Sequence, residues 1–137
     1  MKYLSDYVQE EQTKLFEELG AFFAFGIEQF EEGKKKYGHL KPEGTKWADL
    51  GAGMIVPSVN ADKLIAGLED IHKRGIEKDL AENGREGVLQ RELGNYEIGL
   101  SWEGHRDQNF RSGIEGYGFT EEEIVTQYNK HIEENEY

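Results

Sequence analysis

The stretch WADLGAGMIVP, from Trp47 to Pro57, places an Asp-x-Gly-x-Gly pattern between strand-like flanks, which is compatible with either a cofactor-binding loop or a structural turn. An acidic residue before Gly-x-Gly is typical of the S-adenosylmethionine loop of many methyltransferases. Such a loop needs a buried strand before it, a third small residue after it, and a helix that begins at once. Here GTKWA precedes the pattern, Ile55 stands near the third small position, and Pro57 and Ser58 follow. We therefore predict a strand from Trp47 to Val56 that glycine interrupts and Pro57 ends, and no cofactor loop.

Helices are predicted on both sides of this stretch. Asn60 begins a helix that runs to Asn83 and Gly84, and Gly75 inside it can divide it in two. Before the stretch, Ser5 begins a helix that extends to about Leu19. The apolar positions that place the longer helix on one buried face are Leu64, Ile65, Leu68, Ile71, Ile76 and Leu80.

Shorter elements fill the rest of the chain. AFFAF, from Ala21 to Phe25, has the apolar composition of a short buried strand or of the packed start of a second helix, and we favour the strand. A short helix around Phe30 is expected to give way to a loop at Gly33, with Lys34–Lys36 as a solvated helix end. A further helix is predicted around 88–93, and the alternating NYEIGLSW segment, 95–102, predicts a half-buried strand.

The last helix has the clearest start signal. Thr120 followed by Glu123 forms a capping box, and Phe119 is placed to pack against Ile124. Glycines make the preceding region rich in loops, with one short helix near Phe110. The chain is therefore predicted to form a single domain over residues 1–137. Its predicted class is α+β, helix-rich, with four to five helices and a small two- to three-stranded sheet.

Composition excludes several kinds of site. The 137 residues contain no cysteine, so disulfides, zinc thiolates and thiol nucleophiles are excluded. The longest apolar run, AFFAFGI, is shorter than the roughly 20 residues that span a membrane. The four histidines lie far apart, and His131 is expected to be a packed, hydrogen-bonded residue of the last helix. We expect a cytoplasmic protein that is not an enzyme and has no metal and no cofactor.

Charge is the extreme property of the sequence. With 16 basic and 28 acidic residues, the formal net charge is −12. This balance argues against direct binding of nucleic acid or of anionic membranes, since phosphates must be neutralised by Lys and Arg. It favours a protein partner with a basic surface, although charge that only maintains solubility is the alternative.

Acidic residues cluster on three predicted helices. If two clusters converge, they form a negative patch with the spacing of phosphates. Glu133, Glu134 and Glu136 add to the acidity of the C-terminal end. The candidate partner-binding residues are Glu10, Glu11, Glu17, Glu18, Glu28, Glu31, Glu32, Glu121, Glu122 and Glu123.

Three segments together resemble one protein family: YLSDYVQEEQTKLFEELGAFFAF, DLGAGMIVP followed by LIAGLEDIHKRGIEKDLAENG, and YGFTEEEI. Their order is similar to that in small, uncharacterised acidic proteins carried by phages and mobile elements of Bacteroidota-type bacteria. The resemblance spans most of the chain and weakens between about Ser101 and Gly116. It implies no catalytic motif, and it implies that the Gly-x-Gly pattern is a feature of the fold.

The resemblance and the charge together favour an inhibitor of host defence. The expected partner is an RNA-guided CRISPR effector, whose basic RNA- or DNA-handling surface the protein would occupy, which makes it an anti-CRISPR. One alternative is a sponge for a nucleotide signal, with the glycine loop and Trp47, Tyr96 and Trp102 as a stacking pocket. Lys34–Lys36, Arg106 and Arg111 could then bind phosphate. The other alternative is a structural or housekeeping phage protein.

Overall fold

The computed structural model describes residues 1–135, and they fall into two compact units. One unit is Ser5–Arg74; the other combines Met1–Leu4 with the chain from Gly75 onward. Over the described residues there are five helices and one three-stranded antiparallel sheet, so the predicted helix-rich α+β class is confirmed. The prediction of a single domain over 1–137 stays a prediction.

All three strands lie in the first half of the chain, between α1 and α3, and helices alone follow. Short 3-10 turns occupy Gly38–Leu40, Ser58–Asn60 and Gly104–Arg106. The elements are α1 Leu4–Leu19, β1 Phe22–Phe23, α2 Ile27–Tyr37, β2 Trp47–Asp49, β3 Met54–Pro57, α3 Ala61–Asn95, α4 Gln108–Gly113 and α5 Glu121–Glu134.

The opening stretch is a β-hairpin, so the prediction of one interrupted strand was wrong. Strand β3 is central in the order β1-β3-β2, and Trp47 of β2 pairs with Pro57. The chain reverses because Gly51, Ala52 and Gly53 all have positive φ, at 96°, 51° and 79°. The Oδ1 of Asp49 accepts a hydrogen bond from the Gly51 amide at 2.9 Å, which makes Asp49 a turn residue.

Helix α2 continues through Gly33, where the sequence predicted its end. The glycine is buried because the ring of Phe22 lies against the helix there; a Cβ would come within 2.1 Å of Phe22 Cε2. Lys34–Lys36 occupy the last turn, as predicted. In the same unit, Ala21, Val56 and Leu64 form the buried centre. Ile65 was wrongly placed on the buried face of α3, since 44% of it is exposed.

In the unit that starts at Gly75, the long helix α3 bends at Gly84 and not at Gly75. Gly84 has φ 73° and ψ 164°, a conformation that interrupts a helix. The predicted helix around 88–93 is the part of α3 that follows this break.

The strand predicted for 95–102 is absent, and the segment is irregular. The amide of Ile98 bonds back to the carbonyl of Leu93 at 2.9 Å, so it closes the end of α3 and does not join a sheet. Ile98 is buried, but Leu100 and Trp102 are 67% and 88% exposed. The apolar alternation therefore reflects two residues that pack in the core, Tyr96 and Ile98, followed by an exposed loop.

The core of this unit forms around helix α5. Both hydrogen bonds of the predicted capping box between Thr120 and Glu123 are present, and α4 lies at Phe110 as predicted. Phe119 packs against the same apolar cluster that contains Ile124. The buried members of that cluster are Leu89, Leu93, Ile98, Phe110, Ile114, Ile124 and Tyr128.

Replacing Gly33 tests the close contact between α2 and Phe22. Alanine is normally favoured over glycine inside a helix by about 1 kcal/mol. Because its Cβ would overlap the Phe22 ring, we expect Gly33→Ala to lower the free energy of unfolding by about 1–3 kcal/mol. Urea denaturation measures this change.

Gly38→Ala is the matched control, since Gly38 has helical φ and open space around its Cβ position. It should change stability by less than about 0.5 kcal/mol. A stabilising Gly33→Ala would contradict the packing described here.

Candidate functional site

Four of the seven candidate acids on α1 and α2 remain without an internal ion pair in the described part of the chain. These four are exposed: Glu17, Glu18, Glu28 and Glu32. The other three are engaged, in the pairs Glu10–Lys14 at 3.3 Å, Glu11–Arg74 at 2.8 Å and Glu31–Lys34 at 3.0 Å. Neutralised carboxylates of this kind add little to a negative patch.

On helix α5, two of the three candidate acids are held by arginines. Arg111 binds Glu121 through its two terminal nitrogens, Nη1 and Nη2, with Nη2 lying 3.1 Å from Oε2. Arg85 binds Glu123 through Nε at 2.6 Å and Nη2 at 2.8 Å. Glu122 lies between them in sequence and is exposed. Glu133 and Glu134 are also exposed, and Glu136 lies outside the described residues.

Glu123 is the most strongly perturbed of these carboxylates. The Arg85 guanidinium, and then the Thr120 amide, lower the pKa of Glu123 from its ordinary 4.5 to about 2. Arg85 also donates to the carbonyl of Gly118 and stacks over the ring of Phe119, 4.9 Å from its centroid. The start of α5 is therefore fixed to α3 through one arginine.

The structure brings the α5 acids together with an acid that the sequence analysis missed. A concavity of about 230 Å³ is lined by Glu86 from α3 and by Glu122 and Glu123 from α5. We call Glu86 and Glu122 the α3–α5 acidic surface, because the third carboxylate, Glu123, is paired with Arg85. Their unit contains 15 acidic and 7 basic residues, so it holds most of the net charge. No sequence pattern points to Glu86. Its neighbour Arg85 brings this part of α3 to α5 by binding Glu123, and those two residues lie 38 positions apart in the sequence.

A second concave site lies in the unit Ser5–Arg74. It encloses about 540 Å³ between α1, β1, β3 and the end of α2, and we call it the aromatic groove. Phe16 and Phe23 approach to 5.3 Å between ring centroids, and Phe22 stacks on Tyr37 at 5.9 Å. Its polar lining residues are Gln9, Gln12, Thr13, Glu17 and Lys36.

Trp47 and Tyr96, two of the aromatic residues proposed to stack on a nucleotide, each pack against another aromatic ring of the protein. Trp47 meets the ring of Phe22 edge-on at 5.5 Å within the unit Ser5–Arg74. Tyr96 belongs to the other unit, where it packs edge-on against Phe110 at 6.3 Å. In the glycine loop, a Cβ at Gly53 would come within 2.6 Å of Phe25, so the loop is closely covered there.

A buried charged network is the feature that the sequence analysis did not anticipate. Asp79 is fully buried and accepts two bonds from Arg91, at 2.8 and 2.9 Å. The Tyr117 hydroxyl donates to it at 2.5 Å and Asn83 at 2.7 Å. Burial acts to raise the pKa of Asp79, but these donors hold it below its ordinary value. All four acceptor positions of the carboxylate are filled by the chain, which makes this a structural network.

His131 is packed as predicted, with its Nε2 donating to the Ile98 carbonyl at 2.8 Å. Among residues 1–135, no group of three or more His, Asp or Glu side chains is arranged to hold a metal ion. Within the same residues, every helix is too short or too polar to cross a membrane.

The pKa of Glu123 predicts how stability responds to acid. Its folded pKa lies below its unfolded pKa, so its stabilising contribution is complete above about pH 4.5 and is lost as the pH falls toward 2. In Glu123→Gln this loss is absent, while glutamine can still complete the capping box. The melting temperature should therefore decline less steeply than that of the wild type between those pH values.

Glu122→Gln removes the same charge from the same helical turn and serves as the control. Its melting temperature should follow the wild-type slope, since no arginine holds Glu122 in the described residues. Equal acid slopes for the two variants would contradict the assignment.

Comparison with known proteins adds the family. No curated protein and no solved structure matches the chain. A family model does match, and it covers residues 4–134, nearly the whole sequence. The expectation of an uncharacterised family is thereby confirmed. The chain belongs to the family described as "Family of unknown function (DUF7659)".

Proposed function

We propose that this protein is a non-enzymatic inhibitor that binds a basic, nucleic-acid-handling surface of another protein. The observation that carries the proposal is the α3–α5 acidic surface, where Glu86 and Glu122 line one concavity beside the arginine-bound Glu123. Two separate helices supply the carboxylates, so their spacing is set by packing. Fixed carboxylates can occupy positions that phosphates take on a basic surface.

Charge also supports the choice of partner. The net charge of −12 would accelerate encounter with a strongly basic surface and repel nucleic acid. RNA-guided effector nucleases of bacteria carry such surfaces, because they must hold both guide and target backbones. The proposed activity is that of an anti-CRISPR protein acting in the cytoplasm of the bacterial host, and phage-borne relatives would fit it.

A double charge substitution tests this proposal. We expect Glu86→Gln with Glu122→Gln to weaken binding to a guide-free effector nuclease roughly tenfold, because both carboxylates would face the partner's cations. Binding should also weaken as ionic strength rises to the physiological range. Biolayer interferometry against a panel of purified effectors measures both effects.

Glu43→Gln with Glu69→Gln is the matched control, because it removes two exposed charges from the other unit. It should leave affinity within about twofold of the wild type. A wild-type protein that binds none of the effectors, or binding that is insensitive to salt, would reject the proposed function.

The aromatic groove supports a second candidate function, the capture of a nucleotide. Its volume lies in the usual range for small ligands, roughly 300–1,000 Å³. A base could stack on the exposed ring of Phe23, and the amides of Gln9 and Gln12 could hydrogen-bond its edge. Lys36, which also lines the groove, is the cation available for a phosphate.

Thermal shift against a nucleotide library tests this candidate. A true ligand should raise the melting temperature with increasing concentration, and Lys36→Gln should reduce that shift. Lys63→Gln removes an exposed lysine that does not line the groove, and should leave the shift unchanged. The absence of any shift with the wild-type protein would eliminate nucleotide capture.

A further inference from the structure

The segment 97–106, between α3 and α4, is an exposed loop that is firmly held at its first end. We call it the indole loop, after Trp102. The Nε2 of His131 donates to the carbonyl of Ile98 at 2.8 Å. The hydroxyl of Tyr128 donates to the carbonyl of Gly99 at 3.3 Å. Two buried polar side chains of α5 are therefore used to fix the start of this loop.

The second end of the indole loop is held by the same helix. Gly104 is buried beneath Tyr128, and a Cβ there would come within 2.8 Å of the tyrosine oxygen. The ring of His105 meets Tyr128 edge-on at 5.1 Å. Arg111 donates to the His105 carbonyl at 2.6 Å and also binds Glu121. The loop is thus connected to the acidic first turn of α5.

Between these fixed ends, the loop presents large apolar side chains to solvent. Leu100 is 67% exposed and Trp102 is 88% exposed, although neighbouring aromatic residues of the unit pack into its core. A tryptophan on a fixed loop loses little conformational freedom when it binds, which is the usual property of an interface anchor. The arrangement indicates a binding loop.

The chain itself shows what such an anchor can bind. The Arg85 guanidinium stacks over Phe119 at 4.9 Å while it pairs with Glu123. Arg91 repeats the pattern, since it lies 5.5 Å from the ring centroid of Tyr3 and pairs with Asp79. In both places one arginine contacts an aromatic face and also pairs with a carboxylate.

The indole loop offers the same two components without the arginine. Trp102 supplies the aromatic face, and Glu103, which follows it in the sequence and is also exposed, supplies a carboxylate. Across the described residues, no arginine stacks on Trp102 and no cation pairs with Glu103. Tryptophan is the best aromatic partner for a cation, and arginine is favoured over lysine because its planar group both stacks and pairs.

We propose that the indole loop is a docking site for an arginine side chain in a basic segment of the partner protein. The arginine stacks on Trp102 and pairs with Glu103, while Leu100 covers its aliphatic stem. The excess of acids in this unit provides the charge complementarity. This docking site rests on the proposed function, because both require a basic partner. It adds an aromatic contact, made by Trp102, that the α3–α5 acidic surface does not contain.

Fluorescence anisotropy of a labelled, short arginine-rich peptide tests the docking site. Trp102→Ala should weaken binding at physiological ionic strength by about tenfold or more, and Glu103→Gln by roughly threefold. A lysine-rich peptide of equal charge should bind more weakly and respond little to Trp102→Ala. Ile27→Ala, which truncates another exposed apolar residue, should bind like the wild type.

Because Trp102 is 88% exposed, Trp102→Ala should keep the wild-type melting temperature. An unchanged melting temperature shows that weaker peptide binding comes from the missing indole and not from unfolding. Equal affinities of wild type and Trp102→Ala for the arginine-rich peptide, or no binding of that peptide by the wild type, would overturn the docking site.

The effector nucleases of the previous test distinguish this inference from the proposed function. If they bind wild type and Trp102→Ala equally, the docking site is wrong and the proposed function stands. If none of them binds while the arginine-rich peptide still depends on Trp102, the docking site stands and the effector is the wrong partner.

Discussion

A buried ion pair between Asp79 and Arg91 lies at the break in α3, within the unit from Gly75 onward. It joins the two parts of α3 across the break at Gly84, with both side chains buried. Charges withdrawn from water are tolerated only when they are paired and hydrogen-bonded, so the pair fixes the geometry of the break. Tyr117 and the carbonyl of Lys2 complete the network, which brings two distant segments to the same place.

That constraint sets the position of the acidic groups. Arg85 follows the break directly and holds Glu123, so the start of α5 is fixed against the second part of α3. Glu86 and Glu122 then line the same concavity. Farther along α5, Tyr128 and His131 hold the indole loop. The acidic surface and the exposed tryptophan therefore both derive their placement from α5.

The sequence predicted what local patterns determine and missed what packing determines. The capping box at Thr120 was predictable because its hydrogen bonds join residues three positions apart. The pairs Glu10–Lys14 and Glu31–Lys34 also have helical spacing and could have been anticipated. Asp79, however, meets Arg91 and Tyr117 from 12 and 38 positions away, and no local pattern encodes such contacts. The prediction of a strand over 95–102 was wrong for a related reason. The alternation of apolar residues matches a strand, but among the described residues this segment has no neighbouring strand to pair with.

We propose that the protein meets a basic partner through α5, the second part of α3 and the indole loop. Hydrogen–deuterium exchange of the protein, measured with and without a guide-free effector nuclease that it binds, locates the contact surface. We expect slower exchange in 97–106 and 120–126, and unchanged exchange in α1 and α2. Protection confined to Ser5–Arg74, with 97–106 and 120–126 unaffected, would contradict it.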